Sequence, residues 1–360
     1  MNNIKPKTPD NNQPPASDNQ PAVDNSTPSP NQKHLMFQKK YRQRYITFGV
    51  LLCFLVLYMF TGAITTEWQT MAHIDVANYV FIILNCLILC LVNYEILKLN
   101  GGNKWPIYTQ IITYLLIVFL YILPVERVSE GYAPINFPFY TYANWGWLQN
   151  WLIFVIYLFV FLVYMVLILS GKDITFGKMF ITFAFSIYMI FAFKAMTKFM
   201  LNPNFGWSSV LWLALIIILT DTFAFVGGVS YGKHKLAPNV SPNKTWEGAV
   251  TGTLVASAIA IVYAILMFKF TDQADGKWVF DFFSNDNSQN TMRYIIYVLL
   301  AIILSILSQL GDLSFSWIKR KYNIKDFSNL LPGHGGVLDR LDSFSLVFVV
   351  MFIISAILMK

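Results

Sequence analysis

Residues 293–359 read RYIIYVLLAIILSILSQLG, then DLSFSWIKRKYNIKDFSNLLPGHGGVLDRL, then DSFSLVFVVMFIISAILM. Two apolar runs, 293–311 and 342–359, enclose a polar stretch that holds Asp312, Lys319, Arg320, Lys321, Lys325, Asp326, His334, Asp339 and Arg340. Each run is long enough to cross roughly 30 Å of hydrocarbon as a helix of about 20 residues. Charge at the edge of a membrane is costly and marks function more often than packing. Acids, bases, a histidine and a glycine turn in one short stretch suit phosphate chemistry with a bound cation.

Working outward, the same pattern repeats. The chain has 360 residues, 56% hydrophobic and 12% charged, with mean hydropathy +0.51. A soluble domain has about 25% charged residues. The composition predicts an all-α, polytopic integral membrane protein. Nine apolar runs are long enough to span: 46–64, 78–97, 107–124, 149–170, 178–197, 208–228, 248–268, 293–311 and 342–359. Residues 1–33 are rich in Asn, Pro, Gln, Ser and Asp and predict a disordered tail. Residues 34–200 form an N-terminal membrane region, and residues 201–360 hold the polar motifs.

Flanking charge gives an orientation. Lys33, Lys39, Lys40, Arg42 and Arg44 precede the first run, and Glu67 and Asp75 follow it. Lys98 and Lys104 lie in the next loop, Glu126 and Glu130 in the one after, then Lys172 and Lys178. Asp272, Asp275, Asp281 and Asp286 sit between the seventh and eighth runs. Basic loops face the cytoplasm. This places the N-terminus, the 229–247 loop and the 312–341 loop on the cytoplasmic side of a cell membrane, around a polar cavity. The net charge of +7 then reads as inside-facing charge and an affinity for anionic lipid or nucleotide, not as a nucleic-acid surface. Cys53, Cys86 and Cys90 lie inside apolar runs without metal-ligand spacing. Trp68, Trp105, Trp145, Trp147, Trp151 and Trp207 stand near run ends, as in an interfacial aromatic belt. The aromatic segment Glu130–Trp151 is expected on the outer surface.

Three polar groups stand out. Asp221 follows the apolar run Leu211–Leu219, so it faces a protein interior or a water-filled cavity; a helix-cap aspartate or a partner for a nearby lysine is the alternative. Next comes Ser241-Pro242-Asn243-Lys244-Thr245-Trp246-Glu247-Gly248. The plain structural alternative is that Ser241 or Asn243 caps the seventh helix, with Pro242 in its first turn. Lys244 and the helix N-terminus also make a natural phosphate site. The third is the opening stretch. If its loop folds back, Asp312 and Asp339 need a cation between them, and a divalent metal would leave positions open for phosphate oxygens. Lys319, Arg320 and Arg340 can neutralise phosphate, and Pro332-Gly333-His334-Gly335-Gly336 lets a backbone approach an anion. A membrane-edge basic cluster with an ordinary turn would explain the bases but not Asp312, Asp326, Asp339 and Asp342.

Asp221-Thr222-Phe223-Ala224-Phe225, the Ser241–Gly248 block and Ser316-Trp317-Ile318-Lys319-Arg320 through Pro332-Gly333-His334-Gly335-Gly336 to Leu338-Asp339-Arg340-Leu341-Asp342-Ser343 together resemble the signature of the phosphatidate cytidylyltransferases. The likeness covers about residues 205–345. It implies conversion of CTP and phosphatidate to CDP-diacylglycerol and pyrophosphate. It also implies Mg²⁺, with K⁺ a candidate second cation, and a homodimer. Asp312 and Asp339 match the family's metal aspartates. Asp221, Lys244, Glu247, Lys319, Arg320, His334, Arg340 and Asp342 are the expected catalytic and substrate-holding set. The chain departs from the family pattern at Phe315, where Glu is usual, at Phe225, where Tyr is usual, and at Val229, where Arg is frequent. Rival readings are another CTP-dependent membrane enzyme, a transporter with intramembrane ion sites, and a non-catalytic scaffold.

Overall fold

The computed structural model describes residues 42–61, 75–99, 106–122, 155–166, 176–201, 206–270 and 290–358, apart from residues 44, 48, 157, 164 and 334. The N-terminal tail, the Glu130–Trp151 segment, the ends of the fourth apolar run and the acidic 271–289 loop lie outside the described residues, as does His334.

The long apolar runs become helices: α1 (Asp75–Leu99), α2 (Ile107–Ile122), α3 (Phe176–Leu201), α4 (Gly206–Tyr231), α5 (Trp246–Phe270), α6 (Asn290–Lys321) and α7 (Leu338–Leu358). The described residues of 42–61 and 155–166 are helical as well. Among the described residues, five helices are long and apolar enough to cross a membrane: Val80–Leu99, Phe180–Met200, Gly206–Tyr231, Trp246–Met267 and Tyr294–Lys321. Helices suit this setting because they satisfy their own backbone hydrogen bonds.

One element is not helical. Lys235–Ala237 (β1) and Ser241–Thr245 (β2) pair antiparallel, with Lys235 opposite Thr245 and Ala237 opposite Ser241. The hairpin is a small addition to a mostly helical fold, consistent with the all-α membrane expectation, and it moves the helix start away from Ser241 and Asn243. Ser241 and Asn243 lie in a strand, so the helix start moves to Trp246. Thr245 is the cap, its Oγ1 accepting the Gly248 N–H at 3.2 Å. Trp246 N–H donates to the His234 carbonyl at 2.9 Å, closing the hairpin onto the helix.

A second correction concerns α6. Its apolar run fades at Gly311, yet the helix continues for ten more residues. Asp312, Ser316, Lys319 and Arg320 are therefore helical, not in a loop. The helix stops where Asn323 takes φ 54°. Ile324 N–H bonds the Lys319 carbonyl at 3.0 Å and Asn323 N–H the Arg320 carbonyl at 3.0 Å, the hydrogen-bond pair of a Schellman end.

Small residues let the helices approach, which is the main device for helix contact inside a bilayer. A Cβ on Gly252 would meet Thr220 O at 2.5 Å and Ala224 Cβ at 2.9 Å, so α5 lies directly on α4. A Cβ on Gly311 would meet Asp342 O at 2.9 Å and Ser343 Cα at 3.1 Å, so α6 crosses α7 there. Two apolar cores flank this crossing. One gathers Trp212, Leu213, Ile216, Phe199, Leu304 and Phe348, with Trp212 Nε1–H donating to the Ala260 carbonyl at 2.9 Å. The other gathers Leu89, Val92, Ile96, Ile117, Phe193, Phe315, Phe327 and Leu338.

Candidate active site

The α6–α7 crossing at Gly311 places Asp312 beside Asp342, three residues and thus one helical face beyond Asp339. Asp342 is buried, at 9% exposure, and interacts electrostatically with Asp312, Asp221 and Lys319. Asp221, on α4, interacts with Asp312 and Lys244 and accepts a long hydrogen bond from the Ser343 hydroxyl at 3.5 Å. Lys244, at the end of β2, holds Asp312: Nζ lies 2.6 Å from Oδ2. The Ser316 hydroxyl donates to Asp312 Oδ1 at 3.3 Å, one turn along the helix. Three carboxylates and two lysines from four elements thus meet.

Asp339 is held from two sides. Its Oδ1 receives Lys319 Nζ at 2.8 Å. Its Oδ2 receives Phe327 N–H at 3.0 Å and Gly336 N–H at 2.9 Å. The bond from Gly336 is the backward half of a capping box, which starts α7. Lys319 also sits over the Phe327 ring, 5.5 Å from its centroid. The side chains of Lys319 and Asp339 are only 13% and 7% exposed, so this pair is far better shielded from water than a surface ion pair.

Two expected residues face the hairpin instead. Glu247 accepts from Lys233 N–H at 3.1 Å and His234 N–H at 3.2 Å, and its Oε1 lies 2.6 Å from His234 Nδ1. Arg320 Nε–H donates to the Val240 carbonyl at 3.2 Å. Both residues brace the β1–β2 hairpin that carries Lys244. Arg340 is exposed in the first turn of α7, with its N–H on the Val337 carbonyl at 3.0 Å.

Phe315, one of the departures from the signature, has a clear place here. It is buried at 3% and contacts Phe185, Phe327 and Tyr188 with ring centroids 5.3, 6.1 and 6.4 Å away. Phe225 and Val229 are both exposed, at 72%.

The sequence reading missed Glu95. It lies on α1, is 0% exposed, and accepts from the Ser328 hydroxyl at 2.5 Å, Val337 N–H at 2.8 Å and Leu338 N–H at 2.7 Å. The available signal was a lone carboxylate inside the apolar run 78–97.

A family model described as the cytidylyltransferase family matches residues 42–358. The chain belongs to that family. Curated relatives agree. The phosphatidate cytidylyltransferase of Bacillus subtilis (strain 168) is 34% identical over 191 residues, 53% of this chain and 63% of the relative. That of Rickettsia bellii (strain RML369-C) is 37% identical over 156 residues, 43% and 61% of the two chains. That of Brucella abortus biovar 1 (strain 9-941) is 36% identical over 167 residues, 46% and 54%. In each case the chain covers less than two thirds of the relative's own length. The motif-based resemblance is thus borne out for the family, and the match extends well upstream of residue 205.

The donor set bears on whether a metal ion can be held here. Among the described residues, no group of three or more His, Cys, Asp and Glu is arranged to hold a metal by itself. The carboxylates that meet at Asp312 offer hard oxygen donors. Mg²⁺ is usually held by one or two carboxylates with substrate phosphates and water completing its shell. Asp312 fits that demand, because its Oδ1 receives only the Ser316 hydroxyl, at 3.3 Å, among the described residues. Asp339 gives Oδ1 to Lys319 and Oδ2 to two backbone N–H groups, so a metal ion there would have to displace Lys319.

Proposed function

We propose that the protein is a phosphatidate cytidylyltransferase, joining CTP and phosphatidate to give CDP-diacylglycerol and pyrophosphate in phospholipid biosynthesis. The observation that carries this reading is the meeting of Lys244 and Asp312 among Asp221, Asp342 and Lys319 at the α6–α7 crossing. Cations and carboxylates in one place suit a substrate rich in phosphate and a cation that accompanies it.

In the proposed reaction a phosphatidate phosphate oxygen bonds to the α-phosphorus of CTP. The bond from that phosphorus to the bridging oxygen breaks, and pyrophosphate leaves with the electron pair. The attacking oxygen is already anionic near neutral pH, so no strong base is needed. Phosphoryl-type transfer depends chiefly on positioning and charge stabilisation. Lys244 and Lys319 hold phosphate oxygens, with Arg320 and Arg340 adding positive charge at the rim. Asp221 and Asp342 keep the lysines in register. Glu247 orients the hairpin through His234. Mg²⁺, held by Asp312 and Asp339, would neutralise the phosphates and draw charge from the leaving pyrophosphate. K⁺ as a second cation and a homodimer belong to the same proposal.

The membrane setting completes it. A chain with nine spans, its N-terminus in the cytoplasm, opens a polar cavity both to cytosolic CTP and to phosphatidate in the inner leaflet. The test is a purified-enzyme assay with competing acceptors: phosphatidate, a polyprenol and an archaeal-type ether lipid. Labelled cytidylyl product from phosphatidate is expected. Preferred transfer to either other acceptor would overturn the assignment.

A further inference from the structure

We infer that Glu95 is a positioning residue for cytidylyl transfer, which sets the α7 start, and with it Asp339 and Asp342, from a helix remote in sequence. The inference rests on the function proposed above and concerns this chain's own residues.

A carboxylate in a membrane helix with no exposure is costly unless it is fully hydrogen-bonded. Glu95 meets that condition without a salt bridge among the described residues. Its Oε1 receives the Ser328 hydroxyl and Val337 N–H, and its Oε2 receives Leu338 N–H. These amides sit at the N-terminal end of α7, where free N–H groups and the helix dipole favour negative charge.

The pattern is more specific than a cap. Three consecutive amides open α7, and two carboxylates divide them. Gly336 N–H goes to Asp339 Oδ2, while Val337 and Leu338 N–H go to Glu95. The same two carboxylates also hold the preceding segment, Asp339 through Phe327 N–H and Glu95 through the Ser328 hydroxyl. The two strands of the polar stretch are thus fastened by one acid from inside it and one from α1. Ser328 Oγ in turn accepts Leu330 N–H at 3.1 Å.

Contact is close on the glycine side. A Cβ on Gly336 would lie 2.7 Å from both Glu95 oxygens. An alanine there would push the Glu95 carboxylate out of its place. Releasing Glu95 loosens the turn that presents Asp339, and Asp339 fixes Lys319 through its other oxygen. A shift of about 1 Å in such a group lowers turnover about 100-fold.

The experiment compares wild type with E95Q, E95A, G336A and the double variant E95D/G336A as full-length protein in detergent. It measures kcat and KM for CTP on the monodisperse, folded fraction. E95Q turns an acceptor at Leu338 N–H into a donor facing a donor. E95Q and E95A are expected to lose kcat about 10- to 100-fold, with a smaller change in KM for CTP, because Lys244 and Asp312 are untouched while Lys319 shifts with Asp339. G336A is expected to fall similarly, and E95D, by shortening the side chain, to restore about tenfold of that loss. A merely structural role predicts less folded protein with unchanged kcat per folded molecule, and that result overturns the inference. If E95A does not fold, E95D/G336A decides, and absence of rescue also overturns it. Wild-type protein that makes no CDP-linked lipid contradicts the proposed function itself, and the inference falls with it.

Discussion

Lys244 Nζ lies 2.6 Å from Asp312 Oδ2 and so ties the β1–β2 hairpin to the middle of the long helix α6. The two residues are far apart in sequence and come from different blocks of the signature. Lys244 is the positive charge that lets Asp221 and Asp312 share one site. Replacing it with methionine keeps the stem and removes the charge. We expect kcat/KM for CTP to fall about 100-fold, the loss of a charge-assisted contact worth about 1.5–3 kcal/mol. Steady-state kinetics on purified K244M checks this, and an unchanged kcat/KM would contradict it.

Asp312→Asn keeps the shape of the side chain and removes its charge. Turnover should drop by about 1000-fold or more, as expected when a metal-supporting carboxylate is lost. The protein should still insert and give a monodisperse peak, since Asp312 is partly exposed and an amide in its place can still accept from Lys244 and Ser316. Near-normal activity in D312N would remove Asp312 from the site.

Lys319 and Asp339 form a shielded pair, so cutting one partner leaves the other charge stranded. Lys319→Met should destabilise the fold by about 3–5 kcal/mol. The effect should be read by denaturant unfolding in detergent. A loss below about 1 kcal/mol, as for a surface ion pair, would show that the pair is solvated.

Gly252→Val tests the α4–α5 contact. Its side chain would press on Thr220 O and Ala224, and overpacking of this kind costs about 1–3 kcal/mol. The melting temperature should fall, and activity with it, because α4 carries Asp221 and α5 carries Glu247. A melting temperature equal to wild type would mean that the two helices are not in contact.

The helices were legible because runs of about 20 apolar residues have few other structures open to them. α4, α5 and α7 fall close to the expected runs 208–228, 248–268 and 342–359. α6 was read short because hydropathy stops at Gly311, while helix hydrogen bonding continues to a left-handed Asn323 that leaves little mark in sequence. The hairpin was missed because Ser241-Pro242-Asn243 carries helix-start signals that its pairing with β1 overrides. Lys244, Asp312 and Asp339 were legible as polar outliers among apolar runs. Their pairing was not, since Lys244–Asp312 and Lys319–Asp339 depend on how three elements cross. Glu95 was hidden for the same reason: its partners lie more than 230 residues away.

The most direct test follows the phosphorus atoms. Purified protein is incubated with phosphatidate and CTP labelled at either the α- or the γ-phosphate, with and without Mg²⁺. The account predicts that α-label enters a lipid product, that γ-label leaves as pyrophosphate in equal amount, and that both need Mg²⁺. Transfer of γ-label to lipid, or no labelled lipid at all with Mg²⁺ present, would contradict it.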